Sequence, residues 1–432
     1  MNKNELSLSK LPYKGTNDMY PQDMLISNYI FDTWSRVAKR FGYEEYDTPL
    51  IEDANLYRVK SGDDLGNNQL YAFTDKGGRE IALRPEMTPS LARMIANKRN
   101  ELTLPLRWFN IGRYYRYEKP QRGRSREFFQ LNIDILGVPT IEAEIEIIQY
   151  VMAVMEEFKA PKETYELKIN NRFLLDYLFD EILKIDDDLK AKVSKAIDNY
   201  LKIDKNEFKE YLKEIQLNDD QVEKLIEYLN WTIEDLKKIE DESKGAKELL
   251  NLFNKASTLS ISNLKFCPYI VRGLQYYTGT VMEMFDIGGD ENPRALFGGG
   301  RYDNLLEIFK EKSIPAFGLG WGNVTTLNYL ETYNLLPKLD TDIKVFVSLM
   351  DESLFTETSK VTSYLRNNNI NTQMQLVPTK LSNQLKYASK KLIPWSIIVG
   401  EDEIKSNTVV LKNMSTSEQF NIPIEEVLLK IQ

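Results

Sequence analysis

Residues 113–134 read RYYRYEKPQRGRSREFFQLNID, and no other stretch constrains the fold as strongly. Two aromatic-rich segments, residues 107 to 118 and 126 to 137, are joined by the basic loop KPQRGRSR. This pattern predicts two neighbouring strands. The two-residue period of a strand places one set of side chains on a common face of the second strand: Arg126, Phe128, Gln130 and Asp134.

The polar face of this hairpin indicates a binding site. Arg116 and Glu118 share a face of the first strand. Burial of so much charge is costly unless a polar ligand compensates it. Planar guanidinium groups suit phosphate oxygens because they donate two parallel hydrogen bonds. The alternative is a surface hairpin whose charges pair with one another.

The sequence before residue 160 predicts alternating helices and short strands. Apolar residues at helical spacing predict a helix over residues 22–41, which Gly42 ends. Tyr43 to Thr48 reads as a strand that stops at Pro49. The other predicted elements are a hairpin of residues 68–73 and 80–83, and helices over residues 88–96 and 141–158.

The rest of the chain divides into regions of different amino-acid composition. Residues 171–258 are rich in Lys, Asp, Glu and Leu at helical spacing, which predicts a helical insertion with solvated charged faces. Strand-like, glycine-rich sequence returns at residues 264–323. Residues 331–342 predict a linker between a first domain, residues 1–330, and a small α/β domain, residues 343–432.

Composition excludes several classes of chemistry. The chain has 432 residues, no histidine and one cysteine, Cys267, so neither a Cys/His metal site nor a histidine general base is expected. The net charge of −9 argues against broad affinity for nucleic acid, so local basic patches would have to hold such a partner. No apolar run is long enough to span a membrane, and no signal-peptide core is present, which favours a cytoplasmic location.

Three other segments concentrate functional residue types. LRPEMT (residues 83–88) lies at a predicted strand-to-helix junction. The simpler interpretation is structural: Thr88 caps the helix, and Glu86 lies near its start. IVRGLQYYTGT (residues 270–280) places an arginine before adjacent tyrosines, a pattern that also fits a packed strand start. FGGGRYD (residues 297–303) allows close backbone approach of a ligand, or simply an ordinary turn.

Together these segments carry a family resemblance. Residues 113–134 resemble motif 2 of class II aminoacyl-tRNA synthetases, and helix 22–41 with its following strand resembles motif 1. RGLQYY (residues 272–277) and GGGRYD (residues 298–303) resemble the signature peptides of the histidyl-tRNA synthetase family. Residues 343–432 resemble the family's anticodon-binding domain. The implied fold is α+β, with an antiparallel-sheet catalytic domain, a helical insertion and a C-terminal α/β domain.

The resemblance implies an ATP-dependent aminoacyl-tRNA ligase. The carboxylate of L-histidine would attack the α-phosphate of ATP, and the adenylate would then be captured by tRNA(His). Arg116 and Arg272 would stabilise the developing charge, and Mg²⁺ would bind mainly through the ATP phosphates. The implied histidine-binding residues are Glu86, Thr88, Arg116, Gln130, Asp134, Arg272, Tyr276, Tyr277 and Tyr302. Those implied for ATP are Arg116, Glu118, Arg124, Phe128 and Arg301.

The resemblance also implies macromolecular partners. In the family, motif 1 forms the interface of a homodimer. The residues expected to contact tRNA are Lys119, Gln121 and Arg122 on the motif 2 loop, and Lys380, Lys386 and Lys390 in the C-terminal domain. For the lysines, a solvated helix face is an equally good interpretation.

The sequence departs from the family pattern in two places. Gln275 stands where the signature peptide has aspartate. Motif 3 normally ends in Gly-x-Glu-Arg, whereas GLGWGNVTT (residues 318–326) carries Val324 and Thr325 at those places. This damage favours an alternative function, a catalytically silent paralogue that acts as a histidine-sensing regulatory subunit of histidine biosynthesis. A tRNA-binding sensor or accessory subunit is a third possibility.

Overall fold

The computed structural model describes residues 9–59, 66, 68–121, 123–201, 203–272, 276–289 and 295–431. Contacts divide the chain into two compact units. The first contains the described residues up to Asp18 and Tyr29–Leu336, and the second contains Met19–Asn28 and residues from Pro337 onward. No described helix is both long and apolar enough to cross a bilayer.

The first helix, α1 (Pro21–Arg40), is shaped by apolar residues at helical spacing. Ile30, Trp34, Val37 and Ala38 are buried along one face. The helix ends where Gly42 takes a left-handed backbone with φ of +78°, a conformation that glycine adopts without steric cost. The predicted helix over residues 22–41 is therefore confirmed.

The elements up to the insertion follow one another with short connections. The described strands are β1 (Glu44–Glu45), β2 (Ile51–Asp53), β3 (Tyr71–Thr74), β4 (Glu80–Leu83), β5 (Leu106–Tyr115), β6 (Glu127–Leu136) and β7 (Tyr165–Asn171). The helices among them are α2 (Asn55–Arg58), α3 (Thr88–Asn97) and α4 (Glu142–Glu157). Strands β2, β4 and β3 form a small antiparallel sheet.

The region between residues 171 and 258 is helical, as predicted. It contains α5 (Arg172–Tyr177), a π-helical turn (Leu178–Leu183), α6 (Asp187–Asp198), α7 (Lys205–Glu214), α8 (Asp219–Tyr228), α9 (Ile233–Lys238) and α10 (Lys244–Thr258). Side chains that accept from backbone N–H groups cap several of these helices: Asp186, Asp204, Asn218 and Ser243. The chain then forms β8 (Leu264–Phe266), β9 (Thr280–Asp286), β10 (Ala295–Arg301), β11 (Ala316–Gly322) and α11 (Asn323–Thr332).

The main sheet of the first unit has the strand order β1-β5-β6-β11-β10-β9-β7-β8. Its pairings are antiparallel except for the two edge pairs, β1 with β5 and β7 with β8. The predicted antiparallel-sheet fold is therefore confirmed. Strand β5 stops at Tyr115, earlier than predicted, because the backbone N–H of Tyr117 donates to Gln69 (2.7 Å) instead of to β6.

Alternation along β6 separates the core from the opposite face. Leu131, Ile133 and Ile135 belong to the main hydrophobic core. On β11 and β10, Trp321 and Phe297 continue that core, and the Trp321 ring packs against Trp34 of α1 with centroids 5.9 Å apart. The other face of these strands is therefore free to carry polar side chains.

The second unit contains a mixed sheet of order β13-β12-β14-β15-β16. Its strands are β12 (Val345–Val347), β13 (Thr372–Met374), β14 (Trp395–Ile398), β15 (Val409–Asn413) and β16 (Gln419–Ile422). The α-helices after residue 336 are α12 (Phe355–Asn367), α13 (Leu381–Lys390), α14 (Glu401–Ser406) and α15 (Ile424–Ile431). The predicted α/β character of this region is confirmed.

The linker predicted over residues 331–342 begins later in the structure. Helix α11 continues to Thr332, and Asn334 then reverses the chain with φ of +55°. Leu335 and Leu336 pack against the core of the first unit. Apolar residues directly after a helix terminus often make such contacts, so these two leucines extend the first unit.

Candidate active site

A cavity of about 310 Å³ lies on the polar face of the main sheet of the first unit. Its lining brings together residues from all four sequence segments singled out above. The predicted residues that line it are Glu86, Thr88, Arg116, Glu118, Arg124, Phe128, Gln130, Arg272, Tyr276, Tyr277 and Tyr302. A pocket of this size with convergent polar groups is the expected form of a small-molecule site.

Glycines create the space for the polar side chains of β6. In the antiparallel register, Gly318 pairs with Asp134, Gly320 with Asn132, and Gly322 with Gln130. A Cβ atom at Gly318 would collide with the Asp134 carboxyl group, and one at Gly320 would collide with the Gln130 amide. The polar face of β6 therefore depends on the absence of side chains on β11.

Two buried acid–phenol pairs lie at or beside the cavity: Glu86, Tyr276 and Tyr302 line it, whereas Asp134 is not among the lining residues. The Tyr276 hydroxyl donates to Glu86 Oε2 at 2.7 Å, and the Tyr302 hydroxyl donates to Asp134 Oδ1. Burial and the neighbouring carboxylate raise the pKa of both tyrosines, which therefore remain hydrogen-bond donors. Burial also raises the pKa of Asp134 to about 7, although the hydrogen bond from Tyr302 lowers it.

Two arginines face the same cavity. Arg116 Nε donates to the carbonyl of Pro85 at 2.9 Å. No other hydrogen bond of the Arg116 side chain occurs among the described residues, so its outer guanidinium nitrogens can meet a ligand in the cavity. Arg272 pairs with Glu283. Burial lowers the pKa of Arg272, but the Glu283 carboxylate and the Tyr277 hydroxyl raise it above the ordinary value overall. Burial lowers the pKa of Arg116, but an arginine stays protonated in proteins, so the site holds two positive charges.

The backbone of Arg272 is unusual. Its φ of +57° places a non-glycine residue in the left-handed region, where strain is characteristic of functional sites. A Cβ atom at Gly298 would collide with the Arg272 guanidinium group, so a glycine on β10 makes room for it. Gln275, where the signature peptide departs from the family, lies outside the described residues.

A third group of residues lines the outer part of the cavity. Arg124 Nη1 lies 3.4 Å from Glu118 Oε2, and the Arg116 guanidinium lies 5.1 Å from the centroid of the Phe128 ring. Val324 and Thr325 line the cavity from the first turn of α11, where the Thr325 hydroxyl donates to the carbonyl of Leu296 at 2.9 Å. Helix α11 thus contributes neutral side chains at this position.

Arg301 requires a correction, because it does not reach the cavity. Its Nε donates to Glu144 Oε1 at 2.8 Å, and a second nitrogen lies 2.5 Å from Glu144 Oε2. The remaining donors bind the carbonyls of Val138 and Thr140. Both partners of this ion pair are almost fully buried, so Arg301 has a structural role in place of the predicted contact with ATP.

The structure also bears on the purely structural interpretations of LRPEMT and of the hairpin at residues 113–134. Met87, not Thr88, occupies the N-cap of α3, and no side chain caps this helix. The hairpin does carry a surface ion pair, Arg113 with Glu127, but Gln130 and Asp134 of the same hairpin are buried. A surface hairpin with paired charges therefore describes only its outer face.

Sequence reasoning missed several residues of the site, of which Glu283 and Asn132 contact its predicted polar side chains directly. Glu283 binds Arg272, and Asn132 lines the cavity and accepts a hydrogen bond from Gln130 Nε2 at 2.7 Å. Asn132 lies two residues from both Gln130 and Asp134, so strand alternation could have identified it. Glu283 was not identifiable, because β9 meets Arg272 only through the tertiary fold.

The residues expected to contact tRNA lie away from the cavity lining. Lys119 and Gln121 are exposed on the loop between β5 and β6, and Arg122 lies outside the described residues. In the second unit, Lys380, Lys386 and Lys390 are exposed at the start and along the length of α13. Among the described residues, these three lysines form no ion pair.

Comparisons with known proteins identify families that match both parts of the chain. Residues 15–322 match the family model for histidyl-tRNA synthetase, and residues 344–432 match that for an anticodon binding domain. The chain is 42% identical to a histidine–tRNA ligase of Leptospira biflexa, covering 99% of this chain and 98% of the relative. It is 35% identical to a chloroplastic/mitochondrial histidine–tRNA ligase of Arabidopsis thaliana, covering 96% and 85%.

A solved structure shows the same fold. The histidyl-tRNA synthetase from Nostoc aligns with a TM-score of 0.82 at 24% identity, covering 98% of this chain and 99% of that one. On the family match over most of its length and its full-length relatives, the chain belongs to the histidyl-tRNA synthetase family.

Proposed function

We propose that the chain is a histidine–tRNA ligase, which activates L-histidine with ATP and transfers it to tRNA(His). One observation carries the proposal. A single cavity is lined by two arginines for phosphate and carboxylate oxygens, by the Glu86–Tyr276 pair and by Tyr302, whose hydroxyl donates to the buried Asp134.

In the first step, a carboxylate oxygen of histidine attacks the α-phosphorus of ATP. A bond forms between these atoms, and the bond from the α-phosphorus to the bridging oxygen breaks, so that pyrophosphate leaves. Arg116 and Arg272 stabilise the negative charge that develops on the α-phosphate. Because the reacting oxygens belong to the substrates, the step requires positioning and charge stabilisation but no protein nucleophile.

In the second step, a terminal ribose hydroxyl of tRNA attacks the carbonyl carbon of the adenylate. An ester bond forms, AMP leaves with the electrons of the broken carbon–oxygen bond, and the proton of the attacking hydroxyl is released to the departing phosphate or to water. The Arg116 and Arg272 side chains stabilise AMP as it departs. Lys119, Gln121 and Arg122 are proposed to guide the acceptor end of tRNA toward the cavity.

The acid–phenol pairs are proposed to select histidine. An imidazole presents both a donor and an acceptor, and the Asp134–Tyr302 and Glu86–Tyr276 pairs supply complementary groups. Apolar isosteres would leave these buried groups unpaired, which rejects them strongly. Thr88, Gln130 and Tyr277 complete the proposed histidine site.

Glu118, Arg124 and Phe128 are proposed to orient ATP, with Phe128 under the adenine. Glu118 Oε2 is buried and accepts no hydrogen bond among the described residues, although it lies 3.4 Å from Arg124 Nη1. This carboxylate would therefore meet an ATP-bound Mg²⁺ beside that arginine. The ion would neutralise phosphate charge and take most of its ligands from the phosphates and water.

We also propose a cytoplasmic homodimer with a catalytic domain over residues 1–330 and an anticodon-binding domain over residues 343–432. The family resemblance supports the dimer, the location and the domain roles. The match of residues 344–432 to an anticodon binding domain supports contact of the second unit with tRNA. Lys380, Lys386 and Lys390 are the proposed basic contacts.

Histidine-dependent exchange of labelled pyrophosphate into ATP, with Mg²⁺ and no tRNA, tests the first step. We expect exchange in the unmodified protein and a loss of about 10²–10³-fold in Arg272→Ala, as for removal of one transition-state donor. Arg79→Ala is the matched control, because Arg79 is an exposed arginine that pairs with Asp75 and does not line the cavity. Equal exchange in folded Arg272→Ala would contradict the assigned role of Arg272.

The regulatory-paralogue alternative draws on the neutral first turn of α11, where Val324 and Thr325 line the cavity. That function predicts histidine binding without exchange. Exchange that depends on histidine would exclude it and would show that no motif 3 arginine is needed here.

A further inference from the structure

We propose that Asn132, Tyr114 and Asn110 form a hydrogen-bond relay that fixes the orientation of the Gln130 amide. The relay holds the Gln130 carbonyl oxygen toward the cavity, where it accepts a nitrogen-bound proton of histidine. The identity of this ligand rests on the proposed function, whereas the relay rests on the contacts alone. Asn132, Tyr114 and Asn110 are thus positioning residues for substrate selection.

The relay is a continuous chain of four hydrogen-bond steps. Gln130 Nε2 donates to Asn132 Oδ1 (2.7 Å), and Asn132 Nδ2 donates to the Tyr114 hydroxyl (2.7 Å). The Tyr114 hydroxyl donates to Asn110 Oδ1 (2.9 Å). Asn110 Nδ2 then donates to the carbonyl of Tyr46 (2.7 Å) and to Asp47 Oδ1 (3.0 Å). Gln130 and Asn132 line the cavity, whereas Tyr114 and Asn110 are buried outside its lining, so water competes least for the bond between Tyr114 and Asn110.

The direction of the relay follows from its far end. A backbone carbonyl only accepts hydrogen bonds, so Asn110 must turn its amino group to Tyr46 and its oxygen to Tyr114. The Tyr114 hydroxyl has one proton, and donating it to Asn110 obliges the hydroxyl to accept from Asn132.

The alternation of donors and acceptors continues from Tyr114 to the cavity. With its amino group on Tyr114, Asn132 presents its oxygen to Gln130, which must donate. A flipped Gln130 amide would place two carbonyl oxygens in contact, which leaves both without a donor. The Gln130 oxygen is therefore the atom offered to a ligand.

A buried arginine anchors the far end. Arg84 Nη1 donates to Asp47 Oδ1 (2.8 Å) and to the carbonyl of Thr48 (2.8 Å), and Arg84 Nε donates to the carbonyl of Arg113 (3.0 Å). The Arg84 side chain is only 2% exposed. Because Arg84 has no acceptor, it keeps Asp47 as an acceptor for Asn110.

The test removes one link of the relay without changing the cavity lining. In Tyr114→Phe, the Gln130 amide is free to flip, so we expect histidine affinity by calorimetry to fall about tenfold, as for loss of a hydrogen bond to a charged or buried group. The KM for ATP should not change. Tyr150→Phe is the matched control, because its buried hydroxyl donates to the carbonyl of Trp34 (3.2 Å) in the core.

Two analogues identify the donor that Gln130 binds. Imidazolepropionate lacks the ammonium group, and ring N-methylhistidine lacks one imidazole N–H. The analogue that lacks the partner of Gln130 should bind Tyr114→Phe as well as it binds the unmodified protein. The other analogue should lose about the same factor as histidine.

A second variant keeps the inference testable if Tyr114→Phe folds poorly. Asn132→Leu removes the acceptor for Gln130, and we expect a similar fall in histidine affinity. The double variant should bind histidine no more weakly than Asn132→Leu alone, because both changes break one relay. Additive losses, or unchanged histidine affinity in folded Tyr114→Phe, would overturn the relay. Histidine binding without exchange in the unmodified protein would instead contradict the proposed function and leave the relay standing.

Discussion

At the scale of single residues, Asp134 couples the site to pH. Its pKa rises from 3.8 to about 7 because the carboxyl group is buried, and the hydrogen bond from Tyr302 offsets only part of that shift. Between these pH values the folded protein holds a proton that the unfolded chain releases, so the free energy of unfolding falls as pH rises through this window. The shift sets an upper bound on the order of 4 kcal/mol.

The variant Asp134→Asn isolates this effect, because an amide does not titrate. We expect the unmodified protein to lose stability relative to Asp134→Asn as pH rises from about 4 to 7, with no further change above that range. Urea unfolding of both proteins across this pH range measures the difference. Parallel stability curves would show that Asp134 is ionised in the folded protein at low pH.

The buried Arg301–Glu144 ion pair leads to a prediction about stability and not about catalysis. Arg301→Met would leave Glu144 buried without its cation, which should lower the free energy of unfolding by about 3–5 kcal/mol. The KM for ATP should be unchanged in the folded protein. Replacing Glu144 with leucine as well should recover part of the stability, since no unpaired charge remains. A raised KM for ATP at unchanged stability would restore Arg301 to the ATP site.

At the scale of elements, local patterns predicted the helices and strands well. The hairpin of β5 and β6, helix α1 and the helical insertion all carry strong periodicity or clear end signals. The register between β6 and β11 was not predictable, because pairing of Asp134 with Gly318 joins segments far apart in the sequence. Glycine has no side chain to indicate a face, so the triplet before Arg301 could not show that this arginine points away from the cavity.

Close approach of two helices makes the insertion sensitive to a single methyl group. A Cβ atom at Gly245 of α10 would collide with the backbone of Leu174 in α5. Gly245→Ala should therefore destabilise the protein by about 1–3 kcal/mol, although alanine is the better helix former. Lys247→Ala, at an exposed position of α10, should change stability by less than about 0.5 kcal/mol. Equal stability of the two variants by thermal unfolding would contradict the tight α5–α10 contact.

At the scale of the whole molecule, the chain is acidic, so binding of tRNA depends on local basic groups. Lys386→Ala with Lys390→Ala should weaken tRNA binding and reduce its salt dependence by about one unit of slope per lysine. Exchange without tRNA should not change. Lys360→Ala with Lys405→Ala is the matched control, because these exposed lysines of the second unit pair with acidic residues. Similar tRNA binding by both double variants would remove α13 from the proposed interface.

Transfer of labelled histidine to tRNA(His), with ATP and Mg²⁺, tests the proposed function of the whole chain. We predict ATP-dependent transfer that other amino acids do not compete away and that Arg272→Ala abolishes. Histidine binding without transfer, in protein that also binds tRNA, would contradict the ligase function and favour a sensor that retains the fold.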